Sequence, residues 1–136
     1  MELKAEILLP GHAVAGVCLA LTAPISFWGG VDPASGAIID ARHPERGRNV
    51  AGRILALPGT IGSSSASAVL LELVHAGRAP TALLMDAPDA ILLLGLVVAR
   101  EMGWSTPPAF RLPAADQKAL ADRRVAISAQ GVISVE

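Results

Sequence analysis

The stretch GRILALPGTIGSSSASAVLLELVHAG, residues 52–77, contains the order of elements that decides the fold. Its first six residues, 52–57, predict a short apolar strand, which Pro58 and Gly59 end. Apolar side chains then recur at helical spacing, at positions 66, 69, 70, 73 and 74, and Gly77 is placed to terminate a helix predicted over 68–76. The stretch is therefore a strand, a turn rich in glycine and serine, and a helix.

The segments on either side extend this pattern. Glycine and proline separate four predicted strands in the first part of the chain, at residues 2–9, 13–21, 24–28 and 36–40. After residue 77 we predict a strand at 81–85, a helix at 89–102 that is apolar nearly all round, and a hairpin at 124–136 that turns at residues 130–131. This order predicts a mixed α/β fold with a closed or nearly closed sheet and flanking helices.

Length and composition restrict the class of protein. The chain has 136 residues and a mass of 13.9 kDa. Since 52% of the residues are hydrophobic and 17% are charged, we expect a single packed domain over residues 1–136. A net charge of −1 and 3% aromatic residues argue against nucleic acid as a partner. The apolar pieces at 13–23 and 90–99 are too short to span a membrane, and Glu2 and Glu6 argue against an export signal.

Cys18 is the single cysteine of the chain. One cysteine cannot form an internal disulfide, and alone it cannot hold an iron–sulfur cluster or a four-ligand zinc ion. We expect Cys18 to be a buried packing residue in a cytoplasmic protein, and we expect no metal site made by this chain alone.

The turn at residues 62–67 is the most informative local feature. A helix N-terminus presents unpaired backbone N–H groups and a partial positive charge, so Ser63, Ser64 and Ser65 stand where a carboxylate or phosphate could bind or where a serine oxygen could act as a base. The alternative is that one serine caps the helix and the others are small turn residues. The motifs of P-loop nucleotide hydrolysis and of lipase-type acyl transfer are both absent.

A second group of polar residues, Asp40, Arg42 and His43, lies at the end of the strand predicted at 36–40. Arg42 could pair with a substrate carboxylate, and His43 could transfer a proton, whereas the alternative is a solvated loop. We expect Phe27 and Trp28 to be core or interface anchors. Glu72 and His75 lie three residues apart on the predicted helix, a pairing more typical of a surface contact than of a metal site.

Three segments occur in an order that resembles a known family: Ser-Phe-Trp-Gly-Gly-Val-Asp-Pro at 26–33, Gly-Ala-Ile-Ile-Asp-Ala-Arg-His-Pro at 36–44 and Gly-Ser-Ser-Ser-Ala-Ser at 62–67. With Glu72, residues 77–80 and residues 89–92, they resemble the small subunit, or swivel domain, of the aconitase X family. The resemblance covers residues 3 to 112, and it implies a swivelling β/β/α domain like the fourth domain of aconitase.

The resemblance also implies a function. In this family a hydro-lyase is built from two parts: a large aconitase X-type subunit holds iron or an iron–sulfur cluster, and the swivel domain closes over a small hydroxy acid. Ser63 matches the serine that removes a proton next to the substrate carboxylate, while the iron takes the departing hydroxyl. We expect Asp40, Arg42, His43, Ser64 and Ser65 to bind the substrate beside Ser63. The backbone amides of residues 62, 64 and 65 could stabilise the Ser63 alkoxide, together with either Arg42 or the large subunit.

The family includes dehydratases of cis-3-hydroxy-L-proline in bacteria and of mevalonate 5-phosphate in archaea. Ile61 precedes the turn, no extra cation lies near residues 62–67, and the 26–30 segment looks bacterial, so we favour cis-3-hydroxy-L-proline and keep mevalonate 5-phosphate as the alternative. A hypothesis of another class is a binding or scaffold domain that has the same fold and no chemistry.

Overall fold

The computed structural model describes residues 1–62 and 65–136. The strands are β1 (Glu2–Lys4), β2 (Glu6–Leu9), β3 (Val14–Ala20), β4 (Ile54–Leu57), β5 (Ala82–Met85), β6 (Ala109–Arg111), β7 (Arg124–Ile127) and β8 (Val132–Val135). The helices are α1 (Phe27–Gly30), α2 (Ala66–His75), α3 (Ala90–Glu101) and α4 (Ala114–Lys118). The mixed α/β class with flanking helices is confirmed. None of the helices in these described residues has the length and hydropathy needed to cross a membrane.

The eight strands form one sheet in the order β1-β8-β7-β3-β4-β5-β6-β2. The four strands β3, β4, β5 and β6 run parallel, and the remaining pairs are antiparallel. Since parallel strands end on the same side, the loops that follow β3, β4, β5 and β6 meet at one edge of the sheet, which we call the carboxyl edge. This edge carries the turn that begins at Gly62.

The two outermost strands, β1 and β2, are consecutive in the chain and are separated by Ala5 alone. The buried Ala5 N–H donates to the carbonyl oxygen of Gly131 at 2.9 Å, at the point where the chain leaves one edge strand for the other. No ladder joins β1 to β2 among the described residues, so the expected closure of the sheet is wrong. The sheet is open because the single strand predicted at 2–9 divides at Ala5 and pairs with two different neighbours.

Side chains of the central strands alternate between two cores. On one face, Cys18, Ile54, Ala56, Ala82 and Leu84 pack together with Phe110 and Ile127 from neighbouring strands. The alternate residues, which include Leu55, Leu57, Leu83 and Met85, pack on the other face against α2 and α3, and we call this cluster the outer core. Every residue of β4 and β5 is buried because both faces are covered.

The helices α2 and α3 pack closely against each other at Gly95. A Cβ atom at this position would lie 2.5 Å from the carbonyl oxygen of Ser67, closer than any real Cβ contact. The absence of a side chain at Gly95 therefore sets the separation of the two helices.

Two of the predicted strands, 24–28 and 36–40, are wrong. Residues 27–30 form the helical turn α1, in which Gly29 has a φ of 78°, and the pairing on either side is limited to the single bridges Ile25–Thr60, Val31–Ile38 and Ala37–Asn49. The apolar residues of these segments pack as loops that cover the outer core. The strands at 13–21, 52–57 and 81–85, the two long helices and the terminal hairpin are confirmed, with shifts of a few residues at their ends.

Candidate functional site

The carboxyl edge places the turn before α2 at the end of a buried strand. Helix α2 buries Ala66, Val69, Leu70 and Leu73 on one face, and this stripe fixes the helix against the sheet. Ser65 occupies the N-cap position with φ of −72° and ψ of −17°, and Gly62 is exposed. Ser63 and Ser64, the first two serines of the predicted site, lie outside the described residues. The N-terminal end of α2 and its partial positive charge therefore lie at the carboxyl edge.

The segment before the turn is held from both sides. Ile25 pairs with Thr60: its N–H donates to the Gly59 carbonyl at 3.4 Å, and its carbonyl accepts from the Ile61 N–H at 3.0 Å. On the other side, the Thr60 hydroxyl donates to Asp89 Oδ2 at 2.6 Å. Asp89 also caps α3, because its Oδ1 accepts the N–H groups of Ile91 and Leu92.

The loop with Asp40, Arg42 and His43 is attached to the same edge. His43 is 6% exposed, and its Nε2 lies 3.1 Å from the carbonyl oxygen of Ala23, in the loop that follows β3. Its Nδ1 accepts the N–H of Glu45 at 3.1 Å. Since Nδ1 is an acceptor, the proton of a neutral ring stands on Nε2 and is donated to Ala23. The Glu45 carboxylate lies 3.9 Å from Nδ1.

A second residue, Glu45, also attaches this loop to the residues that follow β3. The Glu45 carboxylate accepts the backbone N–H of Thr22 at 2.6 Å and the Thr22 hydroxyl at 2.9 Å. The Oδ1 atom of Asp40 accepts the N–H of Arg42 at 2.9 Å, which forms a local turn. The Arg42 side chain is exposed and has no carboxylate within ion-pair distance in the part of the chain that the structure describes.

These loops also carry large apolar side chains that are exposed. Trp28, Ile39 and Ile61 are 61%, 51% and 58% exposed, and backbone hydrogen bonds connect the loops that carry them. Phe27 is buried in the outer core, as expected for an anchor, whereas Trp28 is not a core residue. The polar residues of the carboxyl edge are therefore bordered by an apolar surface.

Sequence reasoning missed three contacts of this edge. The amide of Gln117, on α4, lies within 2.9–3.3 Å of the carbonyl oxygens of Leu57, Leu84 and Leu112, so it ties together the ends of β4, β5 and β6. Arg111 reaches the Asp86 carbonyl at 3.1 Å and its carboxylate at 3.5 Å. The Thr60–Asp89 bond is the third. No local pattern reveals these contacts, because apart from Gln117–Leu112 they join residues 25 to 60 positions apart, although Asp89 matches the capping role expected of it.

The opposite end of α2 carries the other polar pair of the sequence analysis. The His75 ring stacks on Trp104 with ring centres 4.8 Å apart, beside an open cleft of about 630 Å³ that also contains His12 and Thr81. The structure thus places Glu72 and His75 on a helix that ends far from the carboxyl edge. Among the described residues, no group of three potential metal-ligating side chains lies together.

Cys18 is buried at the centre of the sheet. Burial raises the pKa of its thiol to about 11, an effect that the nearby Arg53 partly offsets. Because metals bind the thiolate, this shift makes Cys18 a poor ligand. The donor set of the described chain does not fit an iron or iron–sulfur group.

The fold is similar to that of a solved enzyme. The crystal structure of Thermococcus kodakaraensis aconitase X in its holo form matches with a TM-score of 0.86 at 28% identity, covering 100% of this chain and 98% of that chain. The model of the aconitase X swivel domain matches residues 2–135. The chain belongs to the aconitase X swivel-domain family.

Curated relatives carry two different names. The cis-3-hydroxy-L-proline dehydratase of Pseudomonas aeruginosa is 51% identical over 108 residues, which are 76% of this chain and 19% of that protein. The enzyme of the same name from Hypocrea jecorina is 41% identical over 90% of this chain and 21% of its own length. The phosphomevalonate dehydratase small subunit of Methanothermobacter thermautotrophicus is 35% identical over 73% of this chain and 75% of its length. The chain thus spans about a fifth of the two hydroxyproline dehydratases.

Proposed function

We propose that this chain is the swivel part of a hydro-lyase that removes water from cis-3-hydroxy-L-proline to give a pyrroline carboxylate. The observation that carries the proposal is the 51% identity to a dehydratase of that name over most of the chain. The arrangement of the carboxyl edge supports it, since the Gly62 turn, the N-terminal end of α2 and the Asp40–His43 loop lie at one side of the sheet. These loops can receive a small carboxylate.

In this proposal the Ser63 alkoxide accepts the proton from the carbon next to the substrate carboxylate, and the C–H electron pair forms the new double bond. The hydroxyl leaves the neighbouring carbon with the C–O electron pair and takes up a proton, so that water is released. A serine alkoxide needs positive surroundings, because a serine hydroxyl is a very weak acid. The N–H groups at the start of α2 supply part of them. Ser64 and Ser65 bind the substrate beside Ser63.

Arg42 supplies a further positive charge to the proposed site. Its exposed side chain can pair with the substrate carboxylate. Asp40 and His43 act mainly through the backbone of the loop, because Asp40 Oδ1 holds the Arg42 N–H and both ring nitrogens of His43 are engaged. The position of Arg42 therefore depends on these two residues.

The chain needs a large partner in this proposal, either as a separate subunit or as a longer chain. The hydroxyproline dehydratases extend to about five times the matched length, and the apolar surface of Trp28, Ile39 and Ile61 borders the proposed site. Since the donors of the described chain do not fit an iron or iron–sulfur group, such a group belongs to the partner. A cytoplasmic location is part of the same proposal.

A second candidate is the dehydration of mevalonate 5-phosphate. The match to 75% of an archaeal small subunit favours it, because that relative is a separate chain of similar size. The lower identity of 35% and the apolar Ile61 before the turn favour hydroxyproline instead.

The experiment that tests the proposal is an anaerobic assay of this chain with its large partner and iron, in which the two substrates are offered in parallel. We expect turnover of cis-3-hydroxy-L-proline, and loss of turnover in Ser63→Ala without loss of the complex. Turnover of mevalonate 5-phosphate alone would contradict the substrate. Failure to form any complex would favour the binding or scaffold domain.

A further inference from the structure

The hydrogen bond between Thr60 and Asp89 joins the loop before the Gly62 turn to the start of α3. The Thr60 hydroxyl lies 2.6 Å from Asp89 Oδ2, the length of a strong bond between a hydroxyl and a charged carboxylate. The second carboxylate oxygen, Oδ1, accepts the N–H groups of Ile91 and Leu92 at 3.0 and 3.1 Å. One carboxylate therefore holds two elements, each through a different oxygen atom.

The capping of α3 does not depend on Thr60. Removal of the Thr60 hydroxyl leaves Oδ1 and both of its N–H partners in place, so the helix keeps its N-cap. Thr60 is also only half-buried and belongs to neither core. The bond therefore contributes little to the packing of the fold, and its main effect is on the loop.

Residues 59–61, which lead directly to Gly62, are hydrogen-bonded to two other parts of the chain. On one side, Ile25 bonds the backbone of Gly59 and Ile61; on the other, Asp89 holds the Thr60 side chain. Gly62 follows with an exposed backbone and no atoms near the place of a Cβ. The contacts of Ile25 and Asp89 thus fix the two residues that directly precede Gly62.

We infer that Thr60 is a positioning residue, whose bond to Asp89 sets the location of the turn that carries Ser63 relative to the carboxyl edge. The inference rests on the proposed role of Ser63. Displacement of a reacting group by about 1 Å can lower a rate by about a hundredfold, so loss of one bond at this point is expected to affect turnover strongly.

The test compares Thr60→Val, which removes the hydroxyl at nearly constant shape, with Thr60→Ser, which keeps it. In the complete enzyme with its large partner, we expect Thr60→Val to lower kcat by about ten- to a hundredfold with KM within about twofold, and Thr60→Ser to stay within about threefold of the wild type. Asp89→Asn offers a further check, because its Oδ1 can still cap α3 while its amide donates to the Thr60 oxygen. This variant should fall between the other two.

A second readout needs no activity. Hydrogen exchange of the Ile61 amide in the 136-residue chain should be faster in Thr60→Val than in Thr60→Ser, while the amides in the middle of α3 remain as protected as in the wild type. Faster Ile61 exchange together with the loss of kcat supports the inference. Unchanged exchange, an unchanged kcat, or an equal loss in both Thr60 variants overturns it.

These results also separate the inference from the proposed function. A fully active Ser63→Ala enzyme would refute the role of Ser63 and with it the catalytic part of the inference. The Ile61 exchange would still decide by itself whether Thr60 holds the loop.

Discussion

The Nε2 atom of His43 lies 3.1 Å from the carbonyl oxygen of Ala23 and connects the loop of Asp40 and Arg42 to the loop that follows β3. The ring is buried, and its other nitrogen accepts the Glu45 N–H. A histidine that the sequence presents as a candidate for proton transfer therefore supports a loop through both nitrogens. The exposed Arg42 next to it remains available to a ligand.

His43→Ala should lower the free energy of unfolding by about 1–2 kcal/mol, because it leaves a partly buried carbonyl and a partly buried backbone N–H without their partner. Urea unfolding of the chain measures this loss. His43→Gln, whose amide can still donate to Ala23, should lose less than His43→Ala. Equal stability of wild type and His43→Ala would contradict the supporting role.

Arg42→Ala should raise KM in the complete enzyme by about tenfold or more and change kcat less, since a carboxylate partner of Arg42 is present in both the ground state and the transition state. Steady-state kinetics with cis-3-hydroxy-L-proline measure both constants. Arg42→Lys keeps the charge but loses the paired geometry, and it should lie between the two. An unchanged KM in Arg42→Ala would remove Arg42 from the site.

Trp28→Ala should weaken binding of the large partner by about tenfold or more, because an exposed tryptophan beside the site is the kind of side chain that dominates interfaces. Calorimetric titration of the partner measures the affinity. Met102→Ala is the matched control, since Met102 is 54% exposed but lies at the opposite end of α3 from the carboxyl edge. An equal effect of the two substitutions would contradict the proposed interface.

Gly95→Ala should destabilise the chain by about 1–3 kcal/mol, although alanine favours helices by about 1 kcal/mol over glycine. The new methyl group would meet the Ser67 carbonyl oxygen at 2.5 Å, and α2 and α3 would have to separate. Thermal unfolding measures the net effect. Val98→Ala, at an exposed position of the same helix, should be neutral or slightly stabilising, and a stable Gly95→Ala would contradict the close packing.

The free energy of unfolding should fall between about pH 9 and pH 11 because of Cys18. Burial raises the pKa of its thiol from 9.0 to about 11, so in this range the unfolded chain releases the proton and the folded chain keeps it. Two pKa units correspond to about 2–3 kcal/mol. The chain has no tyrosine and two lysines, Lys4 and Lys118, so few other groups interfere. Urea unfolding across this range should show a smaller fall in Cys18→Ala, and parallel curves would contradict the prediction.

Local patterns were sufficient for the elements whose signals lie within a few turns of chain. The apolar spacing of α2, the continuous apolar residues of β4 and β5, and the residue 130–131 turn of the terminal hairpin all appear in the sequence as they do in the structure. The strands predicted at 24–28 and 36–40 failed because their apolar side chains cover the outer core from loops, and local composition does not separate a buried loop from a short strand.

By itself, the sequence determined the α/β class, the turn before α2 and, through 26–33, 36–44 and 62–67, the family. The tertiary structure alone decided the open sheet that divides at Ala5, the support role of His43 and the bond between Thr60 and Asp89. The physical reason is separation along the chain. Helices and turns form from contacts between neighbours, whereas sheet edges and these hydrogen bonds join residues 20 to more than 100 positions apart.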